Sequence, residues 1–473
     1  MKIVVCIKQT VSGELNPFDA CAYEAALQIE GAQVVLLSMG PEKTKDFLLE
    51  LTRLGAKEAC LLCDKAFAGA DTLATAYTLS LAVKKLQPDL VICGRQTVDG
   101  DTGQTGPSLA RTAGLSLITN VMEIKDTKDR LTCVARDTTE YTAEYPALIT
   151  IEKINQLRLP SIRSKRGEVI VWDAEALQAD GNRCGTKGSP TKVLASHKNE
   201  EGKRRCQFAE PAMLETLIQQ GLSKEAKRIV PAKTEGKKLK NLWIVGEKCR
   251  AMAQTVSDDI TLISKPTGET DEAFITRLVE KIREENPSAI LWDSDPWSKK
   301  IAPQVAAILQ TGLCADCTAL QTDGENLYMF RPAFAGNVIA KIACVTRPQM
   351  ATVRTLAEGT ADVILSMGRG AKNAKQAIEA YAEKKNSDKI RYETAASRGA
   401  VDLEMLPYPK QVGLTGKQVS PGVYVAIGIS GAVHHIAGMQ LSGTVIAINP
   451  NKNAPIFDYA DYGIIATAEE VFG

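Results

Sequence analysis

Short apolar runs closed by glycine or polar turns alternate with helical periodicity along the first ~190 residues. KIVVCIK, QVVLLSMG, ACLLCD, DLVICG and ALITIEK read as strands, apolar on both faces as in a parallel sheet covered by helices. Asp19–Glu30, Lys43–Leu54 with its stop at Gly55, and Asp71–Leu86 carry the spacing of the covering helices. Leu131–Tyr145 alternates polar and apolar positions, which predicts an exposed antiparallel strand pair.

The rhythm restarts at NLWIVGE, near Lys240. PDLVICGRQTVDGDTGQTGPSLARTAGLSLITNV, from Pro88, lines up with PSAILWDSDPWSKKIAPQVAAILQTGLCADCTAL, from Pro287, at an offset of about 200 residues. Such an offset is too long for a solenoid and suits two homologous domains in pseudo-twofold pairing. The basic stretch between them, 198–239, reads as a join with Phe208–Gln220 helical. The expected division is 1–197, the linker 198–239, 240–354 and 355–473.

Chemistry concentrates in two places. In the last segment Val423–Ile427 is a buried strand, Gly428–Gly431 a tight turn, and Ala432–Met439 helical. A glycine turn from strand to helix presents backbone N–H groups to an anion, usually a phosphate. QVGLTGK before it and AINPNKNAP after it bring polar groups to the same carboxyl edge, with Arg369, Arg398 and the pair His434-His435. Adjacent histidines on a helix point about 100° apart, so one faces a ligand at most. In the first repeat, Thr97–Gly106 runs into a helix opened by Pro107 and can cradle phosphate. Asp99 and Asp101 argue mildly against this, and spacing alone leaves a nucleotide and a solvated loop equally open. In the second repeat the loop has become DSDPWSKKI and the cradle is lost.

Composition narrows the classes. A net charge of +1 gives no reason to expect nucleic acid or an anionic membrane as partner, and no apolar run is long enough to span a bilayer. MKIVVCIK enters the fold as a strand and lacks a signal-peptide core, which with the cysteines inside apolar runs points to a cytoplasmic protein with reduced thiols. Cys60/Cys63 and Cys314/Cys317 have metal-ligand spacing but no accompanying histidine, so no metal is expected.

SMGRG, ASRGAVD, QVGLTGK, YVAIGISGAVHHIAGM, AINPNKNAPIF and ADYGII together resemble the FAD domain of the electron-transfer flavoprotein α subunit. Residues 240–353 resemble that subunit's first domain through YMFRPAFAGN and RPQMATVR. Residues 1–195 resemble the β subunit through NPFD, LSMGP, FAGADT, GRQTVDGDTGQTGP and KGSPTKV. The resemblance implies a β–α fusion: an α/β protein with two Rossmann-like, adenine-nucleotide-hydrolase-like domains and a C-terminal FAD-binding domain. It departs from the family at Leu414 and His434, where Gln is usual, and at Thr467-Ala468, where Asp-Leu is usual. The family's C-terminal helix is also missing, and the connection between Arg354 and Ala361 is shorter than usual.

By the same resemblance, Arg398 and His435 lie near the isoalloxazine and stabilise negative charge on the reduced ring, while Thr415 meets the flavin N5. Ser430, Gly431 and Ala432 face phosphate, and Asn449 and Thr467 the adenosine half. Arg369, Ser397, Gln411, Val412, Gly413 and Leu414 complete the cofactor site with Gly428, Val433 and His434. In the N-terminal domain the implied nucleotide residues are Cys6, Asn16, Phe18, Asp19 and Met39, with the loop Val98, Asp99, Gly100, Asp101, Thr102, Gly103, Gln104, Thr105 and Gly106. That loop resembles the electron-bifurcating branch, which implies a second FAD there, NADH as donor and ferredoxin or flavodoxin as acceptor; the alternative is AMP with a single FAD. An acyl-CoA dehydrogenase-type flavoprotein is the implied partner, docking within Leu157–Gly167, although a solvated cationic loop reads nearly as well. A non-redox adenine-nucleotide-binding module is the competing class; a nicotinamide dehydrogenase with its own substrate lacks an acid–base constellation.

Overall fold

The structure is a computed structural model that describes residues 1–152, 156–198, 203–223, 236–333, 338–354, 361–413, 416–417 and 419–473. It divides into two units. The first comprises Met1–Ser196, Pro231–Phe334 and Ala340–Thr355; the second comprises His197–Val230, Ala335–Ile339 and Leu356–Gly473.

The first unit opens with β1 (Lys2–Cys6), β2 (Gln33–Met39), β3 (Glu58–Leu62), β4 (Leu90–Gly94), β5 (Ser116–Asp126), β6 (Leu131–Ala135), β7 (Glu140–Ala143), β8 (Ala147–Ile151) and β9 (Glu168–Trp172). They form one sheet in the order β7-β6-β5-β8-β4-β1-β2-β3-β9. The apolar runs pair in parallel, and the alternating stretch becomes the antiparallel pair β6 and β7. Period-two geometry splits each central strand between two cores: Ile3, Val5 and Ile92 pack on one face, Val4, Val91 and Cys93 on the other. Helices Pro17–Gln28, Thr44–Thr52 and Thr72–Leu86 occupy the expected positions. Asp71 caps the last of these by accepting from the backbone of Leu73 and Ala74, each at 3.0 Å.

After β10 (Thr191–Lys198) and β11 (Gln207–Ala209), the second repeat supplies β12 (Leu242–Val245), β13 (Ile260–Ile263), β14 (Ala289–Asp293) and β15 (Leu313–Cys317). It continues with β16 (Ala319–Thr322), β17 (Leu327–Ala333), β18 (Val338–Cys344) and β19 (Gln349–Val353). The order β13-β12-β14-β19-β15 reproduces β2-β1-β4-β8-β5, and β10-β18-β17-β16 form a separate sheet. Local details repeat as well. Gln87 and Asn286 end equivalent helices at φ 46°, while Asn120 and Asp316 sit at equivalent bulges with φ 57° and 55°. Each of the two bulge residues donates its N–H to a threonine hydroxyl, Thr150 at 2.9 Å and Thr352 at 2.8 Å. The repeats meet through equivalent helices, Thr105–Ala113 and Pro296–Leu309. Ser108 Oγ donates to the Pro303 carbonyl at 3.3 Å, and Arg111 grips Glu272 at 2.6 and 2.8 Å.

The second unit holds β20 (Val363–Met367), β21 (Tyr392–Ala396), β22 (Val423–Ile427), β23 (Thr444–Ile448) and β24 (Tyr462–Ile464), ordered β11-β24-β23-β22-β20-β21 and parallel throughout. Here the structure departs from the helix expected at Phe208–Gln220. Gln207–Ala209 is an edge strand on β24, Pro211–Met213 a single 3₁₀ turn, and the helix spans Leu214–Ser223. Pro211 cannot donate to a preceding turn, which places the helix start after it. Leu214, Leu217 and Ile218 are buried in this unit's core, so much of the stretch read as a join belongs to its fold. At the C-terminal end Ala468–Phe472 forms a short helix, with Thr467 as its N-cap in a capping box with Glu470.

Candidate functional site

Each unit places a crevice where the strand order reverses. In the first sheet the chain leaves β1 toward β2 and β3, then returns to β4 on β1's other side. Parallel sheets bind ligands at the carboxyl ends of such strands. A cavity of about 910 Å³ opens there, walled by Cys6, Ile7 and Lys8 after β1 and by Gly94–Thr97 after β4. Gly100 and Thr102–Gly106 close it from the loop, and Met39 and Asp19 also reach it. The second repeat contributes Leu313, Cys314, Ala315, Arg331 and Ile342, a contribution that sequence reasoning missed because it requires knowing how the repeats pack. FAGADT, noticed only as a family likeness, supplies a further wall at Phe67–Thr72.

The other sequence-expected residues of this site stand behind the wall. Asn16 is fully buried; its Nδ2 donates to the Gln96 carbonyl at 2.9 Å and its Oδ1 accepts from Val98 N at 3.2 Å. Phe18 is buried under the Arg95 guanidinium, 5.3 Å from the ring centre. Asp99 accepts from Val11 N at 3.1 Å and pairs with Lys8 at 3.6 Å. Asp101 is buried with φ 54°, accepts from Gln96 Nε2, and gives its carbonyl to Arg331 Nη2 at 3.2 Å. Neither aspartate lines the cavity, whose wall carries the carboxylates of Asp19, Glu42, Asp64 and Asp71 instead. Burial raises Asp101 to about 6, opposed by Arg354 and Arg331, and raises Asp19 to about 7 against hydrogen bonds from Asn16 and Lys8.

Gln104 is 4 % exposed; its Oε1 accepts from Thr72 at 3.0 Å and its Nε2 has no hydrogen-bond partner among the described residues. A buried unpaired donor on the wall of a cavity fits a ligand carrying acceptors. The second repeat has filled the equivalent place itself. Asp293, at the register position of Gly94, accepts from Cys249 N at 2.8 Å, and a Cβ on Gly246 would lie 2.1 Å from its Oδ2.

In the second unit the register ends β20, β21, β22 and β23 level, since Met367 pairs with Ala396 and Ile427, and Ile427 with Ile448. Gly368, Ser397, Gly428 and Asn449 therefore share one edge, with the strand order reversing between β20 and β22. The turns touch backbone to backbone: a Cβ on Gly368 would lie 2.1 Å from the Gly428 carbonyl, and one on Gly431 2.2 Å from Ile456 N. Ser430 and Ala432 are exposed on the turn. Arg369 and Arg398 are exposed at the same edge, Arg398 Nε lying 3.5 Å from Asp402. Gln411 and Val412 are buried alongside the end of β21, where Val412 N donates to Ala396 O at 2.8 Å; Gly413 follows at φ 147°. Leu414 and Thr415 lie outside the described residues, as does the side chain of Val433.

The paired histidines divide as helix geometry requires: His434 is exposed and His435 is 5 % exposed. His435 Nε2 meets the Tyr424 hydroxyl at 3.0 Å, and burial lowers its pKa to about 4, partly offset by the Val412 backbone. Burial therefore favours its neutral, hydrogen-bonding form. Asn449 spends both ends of its amide inward, donating to the Ile429 carbonyl at 2.9 Å and accepting from Asn451 N at 2.9 Å. It clamps the turn after β22 to the turn after β23. Thr467 is occupied as the cap already described.

Comparison with known proteins covers most of the chain. The electron transfer flavoprotein domain model matches residues 3–177 and 224–385, and the electron transfer flavoprotein FAD-binding domain model matches 359–440. The chain is 39% identical over 231 residues to electron transfer flavoprotein subunit beta of Megasphaera elsdenii, covering 41% of this chain and 86% of that protein. Over 252 residues it is 36% identical to electron transfer flavoprotein subunit alpha of Thermoanaerobacterium thermosaccharolyticum, covering 44% of this chain and 76% of the relative. Protein FixA of Azorhizobium caulinodans is 36% identical over 269 residues, 48% of this chain and 96% of that protein.

Proposed function

Because this chain belongs to the electron transfer flavoprotein family and joins the counterparts of both subunits in one polypeptide, we propose that it is a two-flavin electron carrier. In this reading one FAD occupies the carboxyl edge of the second unit and another the cavity of the first. NADH gives up an electron pair; one electron passes to a ferredoxin or flavodoxin and the other to an acyl-CoA dehydrogenase-type flavoprotein. Bound FAD supplies the exchange between one- and two-electron chemistry. The chain's own residues bind and bias it: Gly368, Gly428 and Gly431 let the turns pack backbone on backbone at the edge that would receive the diphosphate, and Arg369 and Arg398 favour negative charge nearby. Among the described residues no helix is long and apolar enough to cross a membrane.

The observation that supports the second FAD is the size of the first cavity. At about 910 Å³ it stands at the upper end of the roughly 300–1,000 Å³ usual for ligand sites, room suited to a dinucleotide. Denaturing the protein and quantifying the released nucleotides tests it. Two FAD per chain, with bleaching by NADH, is the expected result. One FAD with one AMP, and no reduction by NADH, would establish the single-flavin alternative. A colourless protein that cannot take up FAD would leave only a nucleotide-binding module.

A further inference from the structure

Val5 on β1 pairs with Ile92 on β4 in parallel register, so the next residues, Cys6 and Cys93, stand side by side at the carboxyl ends of the two strands. Paired positions on neighbouring strands point to the same face, and both side chains pack in the same core. Both also line the first repeat's cavity. The thiols meet: a hydrogen bond with Cys6, together with burial, pushes the Cys93 thiol well above its ordinary pKa. Neighbouring strands run about 4.8 Å apart, within the roughly 4.4–6.8 Å of Cα separation that a disulfide spans. The fold itself does not demand sulfur here, since the second repeat holds Val245 and Trp292 at the same register positions. Other thiols of this sheet stand farther off. Cys6 pairs with Leu37 and Leu37 with Cys60, which puts Cys60 two strands, roughly 10 Å, from Cys6.

We propose that Cys6 and Cys93 form an oxidation site, a dithiol that hydrogen peroxide entering the cavity converts to a disulfide. Cys6 is half-buried and Cys93 is 5 % exposed, so Cys6 meets the oxidant. Its sulfur attacks one peroxide oxygen and the O–O bond breaks; the Cys6 proton leaves with the displaced oxygen as water, and a sulfenic acid remains. The Cys93 sulfur then attacks the Cys6 sulfur. An S–S bond forms, the S–O bond breaks, and hydroxide departs with the Cys93 proton as a second water. Two electrons pass from the sulfurs to the peroxide oxygens. The disulfide ties β1 to β4 where the cavity opens, and a thiol reductant reverses it. The site belongs to the strands and needs no bound nucleotide.

The purified chain, freed of reductant, is treated with stoichiometric and then excess hydrogen peroxide, unfolded in an alkylating reagent and weighed intact. Alkylated thiols should fall by two from the chain's twelve cysteines, and a thiol reductant should restore them. Peptide mapping without reduction should join Cys6 to Cys93. In Cys93→Ser the closing sulfur is gone, and dimedone should label a sulfenic acid on Cys6; in Cys6→Ser neither that adduct nor the linkage should form. Cys63→Ser, which removes another thiol of the cavity wall, should keep the linkage. Far-ultraviolet circular dichroism reports whether each variant folds, and the wild-type mapping decides the matter even where one does not. An unchanged thiol count in excess peroxide would overturn the proposal. So would a linkage between any other pair, such as Cys314 and Cys317, whose thiols also meet, or a loss of two thiols that persists in Cys6→Ser.

Discussion

Arg398 keeps 45% of its side chain in solvent and stands 3.5 Å from Asp402, so its field is partly screened before it reaches any bound ring. Arg398→Ala should lower the flavin midpoint potential by a few tens of millivolts, the one-electron equivalent of roughly 1 kcal/mol, with the fold intact. Potentiometric titration reads this, and an unchanged potential would take Arg398 out of that role. His435 acts differently because burial drops its pKa from 6.5 to about 4. A depressed histidine contributes stability that is complete above pH 6.5 and is lost as pH falls through about 4, here up to about 3 kcal/mol. Acidification from pH 7.5 to 5 should therefore lower the melting temperature of the second unit, and His435→Gln should flatten that slope. Parallel slopes in the two proteins would show that His435 is not the group titrating.

The glycine turn after β22 couples chain conformation to ligand space. At Gly431 the backbone has φ 93°, and an added Cβ would meet Ile456 N at 2.2 Å. Gly431→Ala should cost about 1–3 kcal/mol in backbone strain before any overlap is counted, and should release FAD from the second unit. Loss of the visible flavin bands with a retained circular dichroism spectrum is the expected signature. In the first unit the ends of β1 and β4 are braced by buried aspartates, whose pKa values move the opposite way from that of His435. Asp101 at about 6 and Asp19 at about 7 stand above their ordinary 3.8. Their contribution is present below pH 3.8 and is lost as pH rises through 6 to 7. Amide exchange in β1 and β4 should accelerate between pH 5 and 8 beyond its intrinsic base catalysis, and Asp101→Asn should reduce that excess.

For the whole molecule, the loop within Leu157–Gly167 shows two apolar side chains to solvent, Leu159 at 89% and Ile162 at 100% exposure. Arg158 ties the loop's start to Glu24 at 2.8 Å. Replacing Leu159 and Ile162 together with serine should slow electron exchange with a dehydrogenase partner about tenfold or more and leave the flavin spectrum unchanged, as expected for truncated docking anchors. Stopped-flow mixing of the two proteins measures it, and an unaltered rate would move docking elsewhere.

Much of this architecture was legible in the amino-acid sequence. Apolar runs marked the parallel strands, a ~200-residue offset marked the repeat, and Gly428–Gly431 marked the turn from strand to helix, because these signals depend on neighbouring residues and on backbone geometry. Signals that depend on distant partners were not legible. The backbone of Gln207–Ala209 pairs with Tyr462–Ile464, so a segment read as helix became an edge strand. Asn449 found its partner at Ile429 and turned inward; of two adjacent histidines, only the fold decided that His435 is the buried one. The division between cavity wall and supporting shell, and the reach of Arg331 across from the other repeat, follow from packing. The sequence by itself determined the strands, the repeat and the turns, because local periodicity and glycine conformations carry them. Only the tertiary structure decided which polar groups face the cavities and which are spent holding them open, because burial and hydrogen-bond partners are set by residues far apart in the chain.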